Sequence, residues 1–131
     1  MKEYVKYMEI LEKCYNKPPN TYLLFLKGII EKYPTFFRDI KIDNETVACA
    51  CIVVLNVGFY GISSVAVLPE FQKRGIGSEL MKKIHKEFAG VFILRTRNAE
   101  KFFEKLGYIE IYRNKNHIIM AYCNESKLIN F

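Results

Sequence analysis

Apolar residues in the first part of the chain recur every third or fourth position, a spacing that predicts two amphipathic helices. The first covers residues 2–15 and places Tyr4, Met8, Leu11 and Tyr15 on one side. Lys17–Asn20, which contains two prolines, interrupts it. The second helix runs from Thr21 to Tyr33 and ends before Pro34. Its predicted buried side consists of Tyr22, Phe25, Leu26, Ile29, Ile30 and Tyr33.

The pattern then changes to shorter apolar runs separated by turn residues, which predicts three strands. They cover residues 36–42, 46–55 and 59–68, with turns at residues 43–45 and 56–58. A helical period returns over residues 75–89, where Ile76, Leu80, Met81, Ile84 and Phe88 share a face. His85 lies at the edge of that apolar stripe, so we expect it on the surface.

The rest of the chain alternates between strand and helix patterns. Residues 91–94 form a short apolar strand, and Ala99, Phe102, Phe103 and Leu106 mark a helix that ends at Gly107. Residues 108–112 and 118–122 form a hairpin. The predicted order is α-α-β-β-β-α-β-α-β-β, which indicates one α/β (α+β) domain over residues 1–131, with about six strands and four helices.

Composition narrows the class of protein. Half of the 131 residues are hydrophobic and 15% are aromatic, so we expect a compact domain rather than a disordered chain. The four cysteines show no zinc-binding spacing, and no apolar run is long enough for a membrane span. The chain is therefore expected to be cytoplasmic, with reduced thiols and no bound metal.

The net charge of +6 is compatible with nucleic acid, a membrane surface or an anionic small ligand as partner. No zinc finger or basic stripe interleaved with aromatic residues is present, so we expect neither nucleic acid nor membrane. Lys73 and Arg74 form a local basic cluster, which a polyanionic small molecule accounts for.

That cluster lies in the turn Gln72-Lys-Arg-Gly-Ile-Gly77, between an apolar strand and a helix. A helix start offers unpaired backbone N–H groups and a positive dipole end to an anion. Gly75 and Gly77 lack the Cβ atoms that would keep such an anion away. The spacing matches neither the Walker loop nor the Rossmann fingerprint. The turn therefore predicts a pyrophosphate cradle of another kind.

The whole stretch from Val65 to Gly77 resembles the acyl-coenzyme-A signature of the Gcn5-related N-acetyltransferase (GNAT) family. In that signature a strand ending V-x-V-x-P leads into [QR]-x-x-G-x-[GA]. A second motif of the family, A-x-x-F-Y-E-K-L-G-F, resembles residues 99–108. The resemblance implies an acyl-CoA N-acyltransferase fold with a mixed, mostly antiparallel sheet. The first strand of that fold is expected to be short or missing, unless Tyr4–Met8 is a strand.

The resemblance also implies where acetyl-CoA binds. The cofactor would lie between the strand that ends at Leu68 and the strand at 91–94, with the backbone N–H of Val65 holding the acetyl carbonyl and later the oxyanion. Val67 would pair its backbone with the pantetheine arm. The complete predicted cofactor site is Val65, Ala66, Val67, Gln72, Lys73, Arg74, Gly75, Ile76, Gly77, Ser78, Thr96, Asn98, Phe102 and Phe103.

Four positions depart from the family pattern. Tyr108 replaces the phenylalanine that ends the second motif. Phe103 replaces the tyrosine that commonly protonates the departing thiolate, Thr96 replaces a cofactor-binding asparagine, and Gly61 replaces a glutamate base of some relatives. Tyr60, His117 and Glu110 are therefore weak candidates for the base, and Tyr108 for the acid. Each base candidate also has a purely structural interpretation: Tyr60 as sheet packing, His117 as a turn residue and Glu110 as a solvent-facing strand residue.

The expected function is transfer of an acetyl group from acetyl-CoA to a primary amine of a small molecule or peptide. Transfer would be direct, in a monomer or homodimer. The alternative is a non-catalytic acyl-CoA-binding module, which Phe103 and Gly61 favour. A nucleotide-binding regulator is a weaker third reading, because the Walker and Rossmann spacings both fail.

Overall fold

The computed structural model describes residues 5–15 and 21–124, with the backbone alone for residues 21–25. Helix α1 spans Val5–Cys14 and helix α2 spans Thr21–Lys32, close to the predicted bounds. The predicted start of α1 at residue 2, its interruption at residues 17–20 and the burial of Tyr22 and Phe25 lie outside the described part. On α2, Leu26 is buried as expected. Tyr33 lies just past the end of α2 and is 39% exposed, so its predicted burial is wrong.

Six strands and two further helices follow, in the predicted order. The strands are β1 (Thr35–Ile42), β2 (Glu45–Asn56), β3 (Phe59–Val67), β4 (Val91–Thr96), β5 (Ile109–Arg113) and β6 (Ile118–Cys123). Helix α3 is Ile76–Glu87 and helix α4 is Glu100–Lys105, and a short 3-10 helix, Pro69–Phe71, precedes the turn into α3. Each predicted element is therefore present, with bounds shifted by a few residues at most.

The strands form one sheet in the order β1-β2-β3-β4-β6-β5. Every neighbouring pair is antiparallel except β3 and β4, which run parallel. This confirms the predicted mixed, mostly antiparallel sheet. Among the described residues no strand precedes α1, and Val5–Met8 are helical, so reading Tyr4–Met8 as a strand is wrong for these residues.

Helices cover the sheet on both faces, and two neighbouring residues of β1 identify which helix covers which face. The Phe37 ring stacks on Tyr7 of α1, with ring centroids 4.7 Å apart. The Arg38 guanidinium pairs with Glu87 of α3 at 2.6 Å. Because successive strand side chains point to opposite faces, α1 and α3 lie on opposite sides of the sheet. We call these the α1 face and the α3 face.

His85 is part of the core, so its predicted surface position is wrong. Its side chain is only 6% exposed and stacks on the Tyr122 ring at 4.2 Å. Nε2 lies 2.8 Å from the Tyr108 hydroxyl, which donates to it when that nitrogen is unprotonated. Burial lowers the pKa of His85 to about 4. The helix-stripe argument failed because β4 and β6 supply aromatic neighbours from distant parts of the chain.

An irregularity in β3 creates the space for a site. Cys51 of β2 pairs with Ser64, while the next residue, Ile52, pairs with Ile62, so Ser63 is an extra residue in β3. Such a bulge bends its strand. The parallel pairing of β3 with β4 ends at the same point, at Ile62 and Leu94. Beyond it the two strands separate.

Candidate functional site

The separation of β3 from β4 opens a cleft of about 1180 Å³ between their carboxyl ends. Sites of coenzymes in open sheets commonly lie at such ends. The described lining residues come from β3, from the turn and helix after it, from β4 and α4, and from two more distant positions. They are residues 62–67, 71–73, 75–78, 94–99, 102, 103 and 105, together with Tyr15 and His117.

Two valines of β3 direct backbone groups into this cleft. The Leu68 N–H donates to the Val47 carbonyl of β2 at 2.8 Å, and Val67 is paired with Ala48. In an antiparallel ladder alternate residues bond to the same neighbour, so Val65 and Val67 turn their N–H and C=O groups away from β2. These groups face the gap where β4 no longer pairs. The carbonyls of Val65 and Val67 accept hydrogen bonds from side chains of this chain, so the two N–H groups are the ones available to a ligand that adopts a strand-like conformation.

The turn after β3 brings the start of α3 to the mouth of the cleft. Lys73 and Gly75 both have left-handed backbones, with φ of 63° and 79°. The Gln72 amide donates to the Val67 carbonyl at 2.9 Å, which fixes the turn against the strand. The first intrahelical bond here runs from Glu79 N–H to the Gly75 carbonyl, so the amides of residues 76–78 precede it and have no helical acceptor. A cluster of donors at a positive helix end suits a pyrophosphate.

The two glycines of the turn serve different purposes. A Cβ on Gly75 would meet nothing within 4 Å, so its left-handed backbone is what requires glycine. A Cβ on Gly77 would lie 3.3 Å from Cζ of Phe102 and 3.6 Å from Cγ2 of Val67. Gly77 therefore allows α3 to approach α4 and β3 closely. The sequence argument attributed both glycines to contact with the anion, and for Gly77 the helix packing is an additional reason.

The remaining predicted cofactor residues lie on the opposite wall, with one exception. Thr96 and Phe103 are buried at the cleft surface, and Asn98 is exposed there. The Thr96 hydroxyl accepts a bond from the Ala99 N–H at 3.1 Å, so it orients the start of α4. Arg74 is the exception, because it is not among the lining residues and its guanidinium lies 5.3 Å from the Phe71 ring centroid.

Of the weak catalytic candidates, the structure brings only His117 into the cleft. It is half-buried at the start of β6, and burial together with Arg95 and Arg97 lowers its pKa. Glu110 is exposed on β5 and accepts hydrogen bonds from Arg113, the closer at 2.7 Å.

Tyr60 and Tyr108 point elsewhere. Tyr60 stacks on Phe92 at 5.2 Å, on the α3 face. Tyr108 is 2% exposed and bonds to His85, and burial raises the pKa of its hydroxyl. Neither residue is among those that line the cleft. The geometry therefore gives no support to Tyr60 as base or Tyr108 as acid, and we no longer assign them these roles.

The end of α1 borders the cleft, which the sequence did not indicate. The Tyr15 hydroxyl donates to the Val65 carbonyl at 2.8 Å, and the Cys14 thiol to the Val67 carbonyl at 3.1 Å. Tyr15 is the only tyrosine among the described lining residues. Its position on the apolar side of a predicted helix was visible, but nothing local connects it to a strand fifty residues further along the chain.

The family model described as the acetyltransferase (GNAT) domain matches residues 36–110. This range is more than half of the chain and contains the bulge, the turn, α3 and α4. The chain belongs to the GNAT family. An uncharacterised N-acetyltransferase from Chlorobaculum tepidum is 34% identical over 92 residues, which cover 66% of this chain and 57% of that protein. The chain thus spans little more than half the length of this curated GNAT relative.

Solved structures agree with the GNAT fold. The ribosomal-protein-S18-alanine N-acetyltransferase from Escherichia coli superposes with a TM-score of 0.74 at 21% identity, covering 92% of this chain and 87% of that one. The PaiA N-acetyltransferase from Thermoplasma acidophilum, solved in complex with coenzyme A, gives 0.71 at 12% identity, covering 92% and 93%. At such identities the similarity establishes the fold, which is the one that the motifs predicted.

Two further observations concern other classes of site. Among residues 5–15 and 21–124, no helix is both long and apolar enough to cross a membrane. In the same part of the chain no three His, Cys, Asp or Glu side chains lie together as metal ligands would. The cysteines at positions 14, 49, 51 and 123 are free, and burial raises the pKa of Cys49 to about 12.

Proposed function

We propose that this GNAT protein transfers an acetyl group from acetyl-CoA to a primary amine, directly and without a covalent enzyme intermediate. The observation that carries the proposal is the conjunction of two donor sets in one cleft. Val65 and Val67 present strand-edge backbone groups, and the turn at Gly75 presents the free amides of α3 at the mouth. A ligand with a peptide-like arm and a pyrophosphate fits both.

Binding of acetyl-CoA would use this chain's groups as follows. The amides of Ile76, Gly77 and Ser78 would bind the pyrophosphate, assisted by the charge of Lys73. The pantetheine arm would lie along Val67 as an additional strand, and Phe102 and Phe103 would pack against it. Coenzyme A in the complex of the Thermoplasma PaiA protein supports this ligand class.

The reaction forms one bond and breaks another. The lone pair of the neutral amine attacks the thioester carbonyl, a C–N bond forms, and the C–S bond breaks with coenzyme A leaving as a thiolate. One proton leaves the amine nitrogen and one proton reaches the thiolate, so charge balances. The Val65 N–H would stabilise the oxyanion that forms between these steps.

The family pattern gives no residue in this chain for proton transfer. We propose His117 as base, because it lies in the cleft and its lowered pKa keeps it neutral, and so able to accept a proton, at pH 7. We propose Tyr15 as proton donor to the thiolate in place of Phe103, because its hydroxyl lies beside Val65, the residue whose N–H would hold the acetyl oxygen. To donate, the hydroxyl would turn its proton from the Val65 carbonyl, 2.8 Å away, to the thiolate, and it would regain a proton from solvent after the product leaves.

The replacement of the family tyrosine by Phe103 favours a second candidate, a non-catalytic acyl-CoA-binding module. Both candidates require acetyl-CoA to stabilise the fold, by roughly 2.7 kcal/mol at a hundred times its dissociation constant. A thermal shift with acetyl-CoA and none with ATP supports the ligand class. A shift with ATP alone would contradict both candidates. Release of free thiol in the presence of an amine then distinguishes the enzyme from the module.

A further inference from the structure

Two arginines line the cleft at the end of β4, Arg95 within the strand and Arg97 just past it. Along β4, Phe92 and Leu94 are buried, and the Phe92 ring lies 4.9 Å from that of His85 on α3. Side chains alternate along a strand, so the exposed Arg95 belongs to the α1 face. Arg97 is exposed in the bend that follows the strand.

His117 and Tyr15 line the same half of the cleft as Arg95 and Arg97. Arg95 pairs directly with Ile119 of β6, so the two side chains share a face. His117, two residues before Ile119, belongs to the same face, and both arginines contribute to its lowered pKa. Tyr15, at the end of α1, borders it from the β3 side. This half is separate from the turn and α3, where the phosphates of acetyl-CoA would bind.

The described lining of the cleft contains cations and no carboxylate. Lys73 lies in the turn and Lys105 on α4, Arg95 lies on β4 and Arg97 lies just past its end. Neither arginine forms an ion pair with another described residue. Two carboxylates of bordering elements are paired elsewhere, Glu70 with Lys13 at 3.7 Å and Glu100 with Arg113 at 2.7 Å. Glu79 of α3 and Glu104 of α4 are exposed and are not among the lining residues.

This charge distribution disfavours polycationic acceptors such as polyamines, because like charges repel in a partly desolvated site. It favours a substrate with a carboxylate or phosphate, since guanidinium groups bind both with paired N–H donors. The same positive charge would lower the pKa of a bound ammonium group and so increase the fraction of neutral amine that can attack.

We propose that the acceptor is a small amine that also carries a carboxylate or phosphate, held by Arg95 and Arg97 so that its nitrogen reaches the acetyl group near Val65. The inference rests on the proposed function. It adds a substrate class to it and assigns a binding role to two residues outside the family motifs.

The test compares initial rates for matched acceptors. O-phosphoethanolamine is compared with ethanolamine, β-alanine with its amide, and spermidine serves as the polycation. The enzyme forms are wild type, Arg95→Gln, Arg97→Gln and the control Lys82→Gln, which removes an exposed charge on α3 outside the cleft. Saturation with acetyl-CoA is measured for each form.

We expect kcat/KM to be about tenfold or more higher for at least one anionic acceptor than for its uncharged counterpart. A preference within the O-phosphoethanolamine pair indicates a phosphate site, and a preference within the β-alanine pair indicates a carboxylate site. Arg95→Gln and Arg97→Gln should remove this preference without changing the KM for acetyl-CoA, and Lys82→Gln should behave as wild type. A preference for spermidine or for the neutral amines would overturn the inference. The inference would also be overturned if a higher KM for acetyl-CoA explained the whole loss of kcat/KM in the arginine variants, because the arginines would then bind the cofactor.

If no amine is acetylated, the proposed function is contradicted. The anion site is then tested separately, by measuring whether the anionic amines bind to the protein. Line broadening of the O-phosphoethanolamine and β-alanine NMR signals would be recorded on the coenzyme-A-bound protein. Broadening that Arg95→Gln abolishes supports the site. Equal signals with and without wild-type protein overturn it.

Discussion

Phe103 is the single residue at which this chain differs most consequentially from the motif of its family. Its ring is nearly buried at the cleft surface and packs edge-on against Phe102, with centroids 5.0 Å apart. Phenylalanine has no proton to give, so the departing thiolate must be protonated by another group or by water. A thiol pKa near 8.5 makes the thiolate a tolerable leaving group near neutral pH.

Phe103→Tyr is therefore expected to raise kcat while leaving the affinity for acetyl-CoA unchanged, because the added hydroxyl acts mainly in the transition state. Steady-state kinetics with saturating acceptor measure both quantities. An unchanged or lower kcat in a folded variant would mean that the family's acid role does not apply at this position.

Tyr15→Phe tests the donor that we propose in place of the missing tyrosine. Loss of a general acid typically costs about a hundredfold in rate, so kcat should fall by roughly that factor, while acetyl-CoA affinity changes little. Phe103→Tyr in the Tyr15→Phe background should restore part of the loss. If Tyr15→Phe leaves kcat unchanged, the phenol only anchors α1 to β3.

The buried side chain of His85 is expected to make the stability of the fold depend on pH. Its pKa is near 4 in the folded protein, because burial disfavours the charged imidazolium, and near 6.5 when unfolded. The unfolded state therefore binds a proton more readily, and the free energy of unfolding should fall as pH drops from about 6.5 to 4, by on the order of 3 kcal/mol. Above pH 7 this loss is absent.

Urea unfolding at pH 7.5 and pH 5 measures this effect. His85→Gln should be less stable than wild type at pH 7.5, where it loses packing, yet should show a smaller drop between the two pH values. An equal drop in both proteins would assign the acid sensitivity to other groups.

At the scale of elements, the turn between β3 and α3 determines whether the cleft can hold a pyrophosphate. Gly75→Val forces a β-branched residue into a left-handed backbone, and Gly77→Val pushes on Phe102 and Val67. Each change should weaken acetyl-CoA binding by roughly tenfold or more, through loss or displacement of amide donors. Calorimetric titration measures the affinity, and circular dichroism checks the fold.

Gly28→Ala is the matched control, since Gly28 is exposed on α2 and a Cβ there meets nothing within 4 Å. It should leave the affinity unchanged and stabilise the helix by about 1 kcal/mol at most. Wild-type affinity in both Gly75→Val and Gly77→Val would show that the cofactor binds elsewhere.

At the scale of the whole molecule, the sequence predicted what is encoded locally. Helix and strand periods gave the order of elements, and the motif at residues 65–77 is contiguous, so a cofactor site could be proposed there from the sequence alone. Contacts between distant segments could not be read in the same way. They include the burial of His85 under Tyr108 and Tyr122, and the bond from Tyr15 to Val65.

The bulge at Ser63 belongs to the same category. Nothing in the residues around it distinguishes a bulged strand from a regular one, because the extra residue is defined by the register with β2. Yet this bulge coincides with the point where β3 leaves β4, and the position of Arg95 and Arg97 in the cleft, where we propose that the acceptor binds, depends on the same strand geometry.

The central claim is that this fold carries out acetyl transfer and does not merely bind acyl-CoA. The most direct measurement incubates the protein with acetyl-CoA and the acceptor panel, follows thiol release, and identifies the acetylated amine by mass spectrometry. We predict a product about 42 Da heavier than one acceptor, which is the mass added when an acetyl group replaces a hydrogen. The product should form at the same rate as free thiol. Initial-rate plots should intersect, since both substrates must be bound together. Tight binding of acetyl-CoA with no acetylated product from any amine would contradict the claim and identify a binding module.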